Sequence, residues 1–177
     1  MDVEYEIIKF EDGDGFRVWL DQHHDDINGV WLRLYKKASG VASLSYPEAL
    51  DVALCYGWID GQRKKGDELS FLQKFTPRRP KSLWSKRNIE YIKRLTAAGL
   101  MMPAGFAEVH KAQQDGRWGA AYDKPTDMVM SDEFLTELHK YPRAEKFFQT
   151  LNKTTVYAIA WRLQTARTEE TKLRRQA

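Results

Sequence analysis

The chain has 177 residues, of which 42% are hydrophobic and 30% charged, a composition typical of an ordinary folded protein. No apolar run approaches the roughly 18 residues that a membrane-spanning helix requires, so we expect no membrane insertion. The single cysteine, Cys55, excludes an internal disulfide, and the acidic start of the chain is unlike a secretion signal. We therefore expect a cytoplasmic protein.

Charge is distributed unevenly along the chain. Residues 1–28 carry nine acidic and two basic side chains, whereas residues 62–94 carry eleven basic and three acidic ones. Such an asymmetry is typical of a surface that binds anions. The alternative is that the acidic and basic segments lie together and partly neutralise each other.

The N-terminal part of the chain shows strand and helix patterns in alternation. Residues 5–10 form a predicted strand, and residues 16–24 a predicted helix with Asp14 as its N-cap. Residues 30–35 alternate apolar and β-favouring side chains, which favours a half-buried strand. Two further strands are predicted at residues 58–59 and 69–75, and with residues 30–35 they would form a small antiparallel sheet.

A buried helix is predicted between these strands. Ser45 and Glu48 have the spacing of a capping box, and Pro47 is tolerated in the first helical turn. The helix is apolar nearly all round, which indicates deep burial, and Gly57 is placed to end it in a left-handed conformation.

The second half of the chain is predicted to be helical. Helices are expected from Ser85 to residue 98 and from Pro103 to residue 114, and residues 122–130 are predicted to be a linker. Beyond the linker, Ser131, Pro142, Asn152 and Thr168 each mark the start of a helix. The predicted fold is therefore α+β and mostly helical, with a core domain at residues 1–123 and a bundle-like helical portion at residues 131–177.

Several motifs resemble the YdeI/OmpD-associated family, which is also called bacteriocin-protection. They are the segments 54–62, 75–80, 84–86, 116–118 and 121–123, with 157–166 and 170–175 near the C-terminus. The likeness runs from about Phe16 to Arg175. It implies an intracellular protein connected with bacteriocin protection or stress, and it supplies no reaction, so we predict no catalytic residue and no cofactor.

The best candidate for a binding site is the basic segment. Basic side chains can neutralise phosphates while an aromatic ring stacks on a base, and a helix N-terminus adds free N–H groups. The predicted site for an anion or nucleic acid comprises Arg78, Arg79, Lys81, Trp84, Lys86 and Arg87. The competing interpretation is structural, with Trp84 in the core and the arginines paired.

Two other hypotheses remain open. One is a small-molecule pocket, which could be catalytic, lined by Tyr56, Trp58, Asp60 and Gln62; Asp60 could equally cap a turn or pair with an arginine. The other is a helical adaptor that docks a protein partner through Trp161, Arg162 and the basic terminal helix.

Other reactive residues favour structural roles. Cys55 lies near the end of an apolar helix, where the helix dipole opposes a thiolate, so we expect a buried and unreactive thiol. His23 and His24 are adjacent and point in different directions on a helix, so we expect no metal site there. We expect a binding protein rather than an enzyme.

Overall fold

The computed structural model describes residues 6–176, and this part of the chain forms eight α-helices and a four-stranded sheet. The predicted α+β class is thereby confirmed. The strands are β1 (Ile7–Ile8), β2 (Val30–Tyr35), β3 (Trp58–Lys65) and β4 (Ser70–Pro77). The helices are α1 (Gly13–His23), α2 (Tyr46–Cys55), α3 (Lys86–Ala97), α4 (Pro103–Gln114), α5 (Asp132–Leu138), α6 (Pro142–Phe148), α7 (Lys153–Gln164) and α8 (Glu169–Gln176).

The chain divides into two compact units. Unit 1 comprises the residues up to Ser82 together with Asn88–Gly119, and unit 2 comprises Leu83–Arg87 together with the residues from Ala120 onward. The predicted division, with a core domain at residues 1–123 and a linker after it, therefore differs from the compact units. A five-residue segment of the N-terminal part belongs to the C-terminal unit.

The sheet of unit 1 has the strand order β1-β2-β4-β3, in which the three strands of the predicted antiparallel sheet, β2, β3 and β4, pair antiparallel and β1 adds a parallel edge. β1 pairs in parallel with β2, while β4 pairs antiparallel with both β2 and β3. The parallel pair arises because α1 connects β1 to β2, and such a crossover returns the chain in the same direction. Tyr5, which belongs to the predicted first strand, lies outside the described residues.

β3 and β4 form a longer hairpin than the predicted strands at residues 58–59 and 69–75. A shift in register separates Asp60 from Arg63, and the buried side chain of Gln73 fills this irregularity. The Gln73 Nε2 donates to the carbonyl oxygen of Gly61 at 2.9 Å and to that of Gln62 at 3.2 Å. A side-chain amide thus satisfies backbone carbonyls that the bulge removes from regular pairing.

Aromatic and aliphatic side chains fill the space between the sheet and the helices of unit 1. Phe16, Trp58 and Phe75 are fully buried, and the rings of Phe16 and Phe75 lie 5.9 Å apart. α2 is buried through most of its length, as its apolar sequence predicts. Cys55 is fully buried at its last position.

In unit 2, two backbone hydrogen bonds join the segment Leu83–Arg87 to Tyr122. The Tyr122 N–H donates to the Trp84 carbonyl oxygen at 3.0 Å, and the Lys86 N–H donates to the Tyr122 carbonyl oxygen at 2.8 Å. Lys86 Nζ lies 2.5 Å from the Asp123 carboxylate, and the Gln164 Oε1 accepts from the Asp123 N–H at 2.9 Å. Residues 122 and 123, predicted to begin a linker, are therefore part of the unit.

The predicted helix starts are largely confirmed. Side chains of Ser131, Asn152 and Thr168 accept hydrogen bonds from backbone N–H groups at the starts of α5, α7 and α8. The exception is α1, which begins earlier than predicted because Asp12 rather than Asp14 is its N-cap. Among residues 6–176, no helix is both long and apolar enough to cross a membrane.

Candidate functional site

The basic segment after β4 contains a tight turn at residues 79–82. The Ser82 N–H donates to the Arg79 carbonyl oxygen at 3.0 Å, and Lys81 has a φ of 68°. Pro80 at the second position and a positive φ at the third are characteristic of a type II turn. Glycine or asparagine is usual at the third position, so Lys81 holds a conformation that is costly for its side chain.

Arg117, in the loop after α4, holds this turn in place. Its side chain is almost fully buried, and its Nε lies 2.7 Å from Asp115 Oδ2. Its Nη1 donates to the Ser82 carbonyl oxygen at 3.0 Å. The turn is therefore held by a charged hydrogen-bond donor that is itself oriented by a carboxylate.

Gly57 brings α4 close to the start of the basic segment. The Arg78 N–H donates to the Gly57 carbonyl oxygen at 3.1 Å, and Gly57 has a φ of 77°. A Cβ at Gly57 would lie 2.9 Å from Glu108 Cγ and 3.0 Å from the Ala104 carbonyl oxygen. Only glycine allows this approach, which sets α4 beside Arg78.

Two adjoining hollows of about 550 and 570 Å³ lie along this junction in unit 1. Both are lined by Arg78, Pro80, Glu108 and Lys111, and we call the pair the Arg78 groove. Further charged or polar lining residues are His24, Asp25, Tyr56, Arg79, Lys81, Gln114, Asp115 and Arg117.

Positive charge predominates in the Arg78 groove. Arginines and lysines supply five of its lining residues, against three carboxylates at Asp25, Glu108 and Asp115. Lys111 Nζ lies 2.7 Å from Glu108 Oε1, so this pair partly neutralises itself. Arg79 and Lys81 are exposed at the rim. The arrangement suits an anion that reaches the rim from solvent.

The six residues of the predicted anion site divide equally between the two units. Arg78, Arg79 and Lys81 belong to unit 1, where Arg78 is 6% exposed. Trp84, Lys86 and Arg87 belong to unit 2. The structure therefore brings the first three together in the Arg78 groove and places the other three within unit 2.

The unit 2 residues of the predicted site have structural surroundings. Trp84 is 2% exposed, so its ring presents no open face on which a base could stack. Lys86 is exposed but paired with Asp123, and this ion pair holds the pKa of the Asp123 carboxyl below its usual value. For Trp84 the structural interpretation made from the sequence fits the observed burial. Arg87 is exposed.

Lys111 and Arg117 are groove residues that the sequence interpretation missed. Both lie beyond the basic segment, at the end of α4 and in the loop after it. Arg117 occurs in one of the motifs that carried the family resemblance, and this was the available signal. Lys111 had none, because a lysine on a helix surface is ordinary.

The four residues of the predicted pocket, Tyr56, Trp58, Asp60 and Gln62, do not line one common hollow. Trp58 is fully buried, and its Nε1 donates to the His24 carbonyl oxygen at 2.7 Å. Asp60 accepts from the Tyr46 hydroxyl at 2.9 Å rather than capping a turn or pairing with an arginine. Gln62 is exposed, and of the four only Tyr56 lines the Arg78 groove.

The pKa values of the Tyr56 hydroxyl and the Cys55 thiol are both raised. Burial, followed by the hydrogen bond to Asp21, raises the pKa of Tyr56 to about 12. Burial likewise raises the pKa of the Cys55 thiol, with Arg17 opposing the shift. Neither group is poised as a nucleophile near neutral pH.

Unit 2 contains a hollow of its own, of about 900 Å³, between α5, α6 and α8. It is lined by Glu133, Phe134, Glu137, Leu138, Tyr141, Ala144, Glu169, Lys172 and Leu173. Tyr141 and Leu173 are 58% and 63% exposed, so this surface is partly apolar. Within residues 6–176, no group of three or more histidine, cysteine, aspartate or glutamate residues is arranged to hold a metal ion.

Comparison with protein families assigns the two parts of the chain separately. Residues 8–108 match the family described as Domain of unknown function (DUF8412), which is more than half of the chain. The chain belongs to the DUF8412 family. The matched segment contains β2, β3, β4 and the 79–82 turn, and most residues that line the Arg78 groove lie within it.

The C-terminal part matches a second family. Residues 127–177 match the family described as Bacteriocin-protection, YdeI or OmpD-Associated, which confirms the resemblance recognised in the sequence. This match covers α5 to α8, whereas the earlier motifs lie in the DUF8412 segment or between the two matches. No curated protein and no solved structure matches the chain.

Proposed function

We propose that this protein is a binding protein of the bacteriocin-protection type, which engages an anionic partner through the Arg78 groove. The link to bacteriocin protection rests on the family match of residues 127–177. The anionic partner rests on a single observation: the basic 79–82 turn is held in a costly conformation, with Lys81 at a φ of 68° and Arg117 bonded to Ser82.

The geometry favours binding because the turn is preorganised. Backbone strain persists only where surrounding structure enforces it, and it is concentrated at functional sites. Here the Arg117 hydrogen bond and the ring of Pro80 supply the restraint. An anion that meets Arg79 and Lys81 therefore encounters cations already in position, which reduces the ordering cost of association.

A salt titration with two probes tests this function. Purified protein is titrated with inorganic polyphosphate and with a short DNA duplex at several salt concentrations. We expect Arg79→Ala/Lys81→Ala to weaken binding about tenfold and to reduce the log-log salt slope for the duplex by roughly 1.8, since each neutralised phosphate of a duplex contributes about 0.9. Lys93→Ala/Lys153→Ala removes two exposed charges elsewhere and serves as the control.

Unchanged affinity for both probes in the Arg79→Ala/Lys81→Ala variant would exclude the groove as the anion site. An equal loss in the control variant would show that net charge alone determines binding. A cytoplasmic location and an association with stress belong to the same proposal, and fractionation of cells that produce the protein tests the location.

The two alternative functions remain predictions. A catalytic or small-molecule pocket at Tyr56 gains support only from the position of this residue in the Arg78 groove. The adaptor hypothesis is favoured by the partly apolar hollow of unit 2, although Trp161 is outside its lining. Trp161 instead packs edge-on against Tyr122, with ring centroids 6.0 Å apart.

A further inference from the structure

Two helices of unit 1, α1 and α2, pack on the same face of its sheet. From α1, Trp19 meets the edge of Trp58 at 5.9 Å between ring centroids. From α2, the Tyr46 hydroxyl donates to Asp60. Trp58 and Asp60 are two residues apart in β3 and point to the same side, together with Phe75 of β4, which is paired with Asp60.

The remaining helices of unit 1 pack behind α2 rather than on the sheet. Arg94 of α3 forms an ion pair with Asp51 of α2 at 2.6 Å. In α4, a Cβ at Gly105 would lie 2.2 Å from the Cys55 carbonyl oxygen, so this helix touches the end of α2. The described helices of unit 1 therefore lie on one side of the sheet, and we call the opposite side, on which none of them packs, the open face.

The open face is identified by alternation and strand pairing. Trp31, Arg33 and Tyr35 of β2 alternate with Val30, Leu32 and Leu34, and so point away from α1 and α2, although Trp31 is itself only 5% exposed. Their partners in β4 and the neighbouring residue of β3 share that side. The open face thus comprises Ile7, Lys9, Trp31, Arg33, Tyr35, Lys64, Ser70, Leu72 and Lys74, of which Ser70 is 2% and Ile7 50% exposed.

Lysine side chains on the open face cover aromatic rings. Lys64 Nζ lies 4.7 Å from the centroid of the Trp31 ring, and Lys9 Nζ lies 5.4 Å from that of Tyr35. Lys9 and Lys64 are themselves exposed. Each ammonium group is held by a weak cation–π interaction and can therefore be displaced.

The charge of the open face is strongly positive. Lys9, Arg33, Lys64 and Lys74 are basic, and the adjoining hairpin adds Asp67, whose carboxylate lies 2.9 Å from Arg33 Nη1. The hydrogen bond from Ser70, with others from the hairpin backbone and Arg33, holds the pKa of Asp67 below its usual value, so this carboxylate stays charged. Four cations on the open face are thus accompanied by two carboxylates in the adjoining turn, Asp67 and Glu68.

We propose that the open face binds single-stranded nucleic acid, with an unpaired base stacked on Tyr35 and phosphates bound by Lys9 and Lys64. When a base takes the place of the ammonium over the ring, the lysine is released to contact a phosphate. Only unpaired bases expose the ring faces that such stacking needs, which favours a single strand over a duplex. This surface is separate from the Arg78 groove and does not depend on the function proposed for it.

Fluorescence anisotropy with a labelled 12-nucleotide oligothymidine tests the charge component. We expect Lys9→Gln/Lys64→Gln to weaken binding at least about tenfold and to lower the log-log salt slope by roughly 1.4, since each neutralised phosphate of a single strand contributes about 0.7. Lys93→Gln/Lys153→Gln removes the same charge from exposed sites elsewhere and should bind like the wild type. Both substituted lysines are exposed, so folding is expected to survive.

Tyr35→Leu tests stacking. We expect this variant to lose at least about fivefold in affinity for oligothymidine while retaining its affinity for inorganic polyphosphate, because polyphosphate has no rings to stack. Wild-type binding of oligothymidine by Lys9→Gln/Lys64→Gln would overturn the proposal. So would an equal loss for both probes in Tyr35→Leu, which would indicate a surface that recognises charge only.

The proposals for the two binding surfaces can be refuted independently of each other. Loss of oligothymidine binding in Arg79→Ala/Lys81→Ala, with full binding in Lys9→Gln/Lys64→Gln, would place the strand in the Arg78 groove and refute the open face. Loss of duplex and polyphosphate binding in Arg79→Ala/Lys81→Ala, with oligothymidine binding intact, is the result expected if both proposals hold.

Discussion

Ser45 and Glu48 form a reciprocal pair of hydrogen bonds at the start of α2. The Glu48 N–H donates to Ser45 Oγ, and the Ser45 N–H donates to Glu48 Oε2 at 3.0 Å. The hydrogen bond from the Ser45 side chain, followed by that from its backbone, lowers the pKa of Glu48 from its usual 4.5. The charged carboxylate therefore contributes to the stability of the folded chain.

This cap makes the effect of Glu48→Gln depend on pH. Because the pKa of Glu48 is lowered on folding, its contribution is fully present above the unfolded value of 4.5 and disappears as the pH falls through the lowered value. We expect the wild type to be more stable than Glu48→Gln at pH 7, by up to about 1 kcal/mol, and the difference to be smaller at pH 3. Urea unfolding at both pH values measures it.

Glu11→Gln provides the control for this experiment, since Glu11 is an exposed carboxylate outside any helix. It should change the stability little at either pH. A difference between the wild type and Glu48→Gln that stays constant from pH 7 to pH 3 would contradict the role assigned to the charged cap.

Caps illustrate what short-range patterns can predict. The spacing of Ser45 and Glu48 identified the capping box, because both partners lie within one turn of each other. The N-cap of α1 was predicted two residues too late, since Asp12 and Asp14 are both suitable caps and the sequence does not distinguish them. The bond from Gly15 N–H to Asp12 Oδ1 at 2.9 Å decides between them.

At the scale of elements, the 79–82 turn combines strain with charge. Lys81→Gly would remove the cost of a side chain at positive φ and should raise the free energy of unfolding by about 1 kcal/mol. Lys81→Ala removes the same charge but keeps the strain, so it should give no such gain. Thermal or urea unfolding of the two variants measures the difference.

The two Lys81 variants also separate stability from binding. Both should weaken polyphosphate binding to a similar extent, since both lack the ammonium group. Equal stabilities of Lys81→Gly and Lys81→Ala would show that the turn carries no strain at this position.

Close packing of α4 against the end of α2 depends on Gly105. Alanine normally stabilises a helix relative to glycine by up to about 1 kcal/mol, but here a Cβ would lie 2.2 Å from the Cys55 carbonyl oxygen. We expect Gly105→Ala to destabilise the protein by about 1–3 kcal/mol in urea unfolding, as overpacking does.

Gly13→Ala is the matched control for this substitution. The added Cβ would lie 3.5 Å from Val52 Cγ2, an ordinary contact, so its effect should be neutral or slightly stabilising. A Gly105→Ala variant as stable as Gly13→Ala would mean that α4 can move away from α2 at little cost.

The sheet shows where sequence patterns were insufficient. The patterns located β2 and the cores of β3 and β4, because apolar and β-favouring residues mark them. They did not predict the basic end of β3, where Arg63 and Lys65 extend the strand. That end is stabilised by cross-strand partners such as Phe71, whose ring lies 3.8 Å from the Arg63 guanidinium carbon.

At the scale of the whole molecule, the segment Leu83–Arg87 completes unit 2 although it precedes most of that unit by more than thirty residues. A fragment of residues 120–177 lacks this segment and with it the partner of Tyr122 and the Lys86 ion pair to Asp123. We expect the fragment to show reduced helicity by circular dichroism and to unfold without a cooperative transition.

A synthetic peptide of residues 80–90 supplies the missing segment. Its addition should increase the helicity of the fragment, whereas a peptide with Lys86→Glu should do so less, because it places a like charge beside Asp123. Full helicity and cooperative unfolding of the fragment alone would show that Leu83–Arg87 is dispensable. The sequence patterns did not predict that Leu83–Arg87 belongs to unit 2, since this depends on backbone pairing between residues far apart in the chain.

The backbone pairing between Trp84 and Tyr122 also limits which parts of the chain recombination could exchange. The two family matches end and begin at residues 108 and 127, so a recombination between them would transfer α5 to α8 as a block. Such a block would leave Leu83–Arg87, which belongs to the same compact unit, behind in the donor's first half. We therefore expect the two halves to be inherited together. A chimera that exchanges only the second half would need a first half with a segment equivalent to Leu83–Arg87.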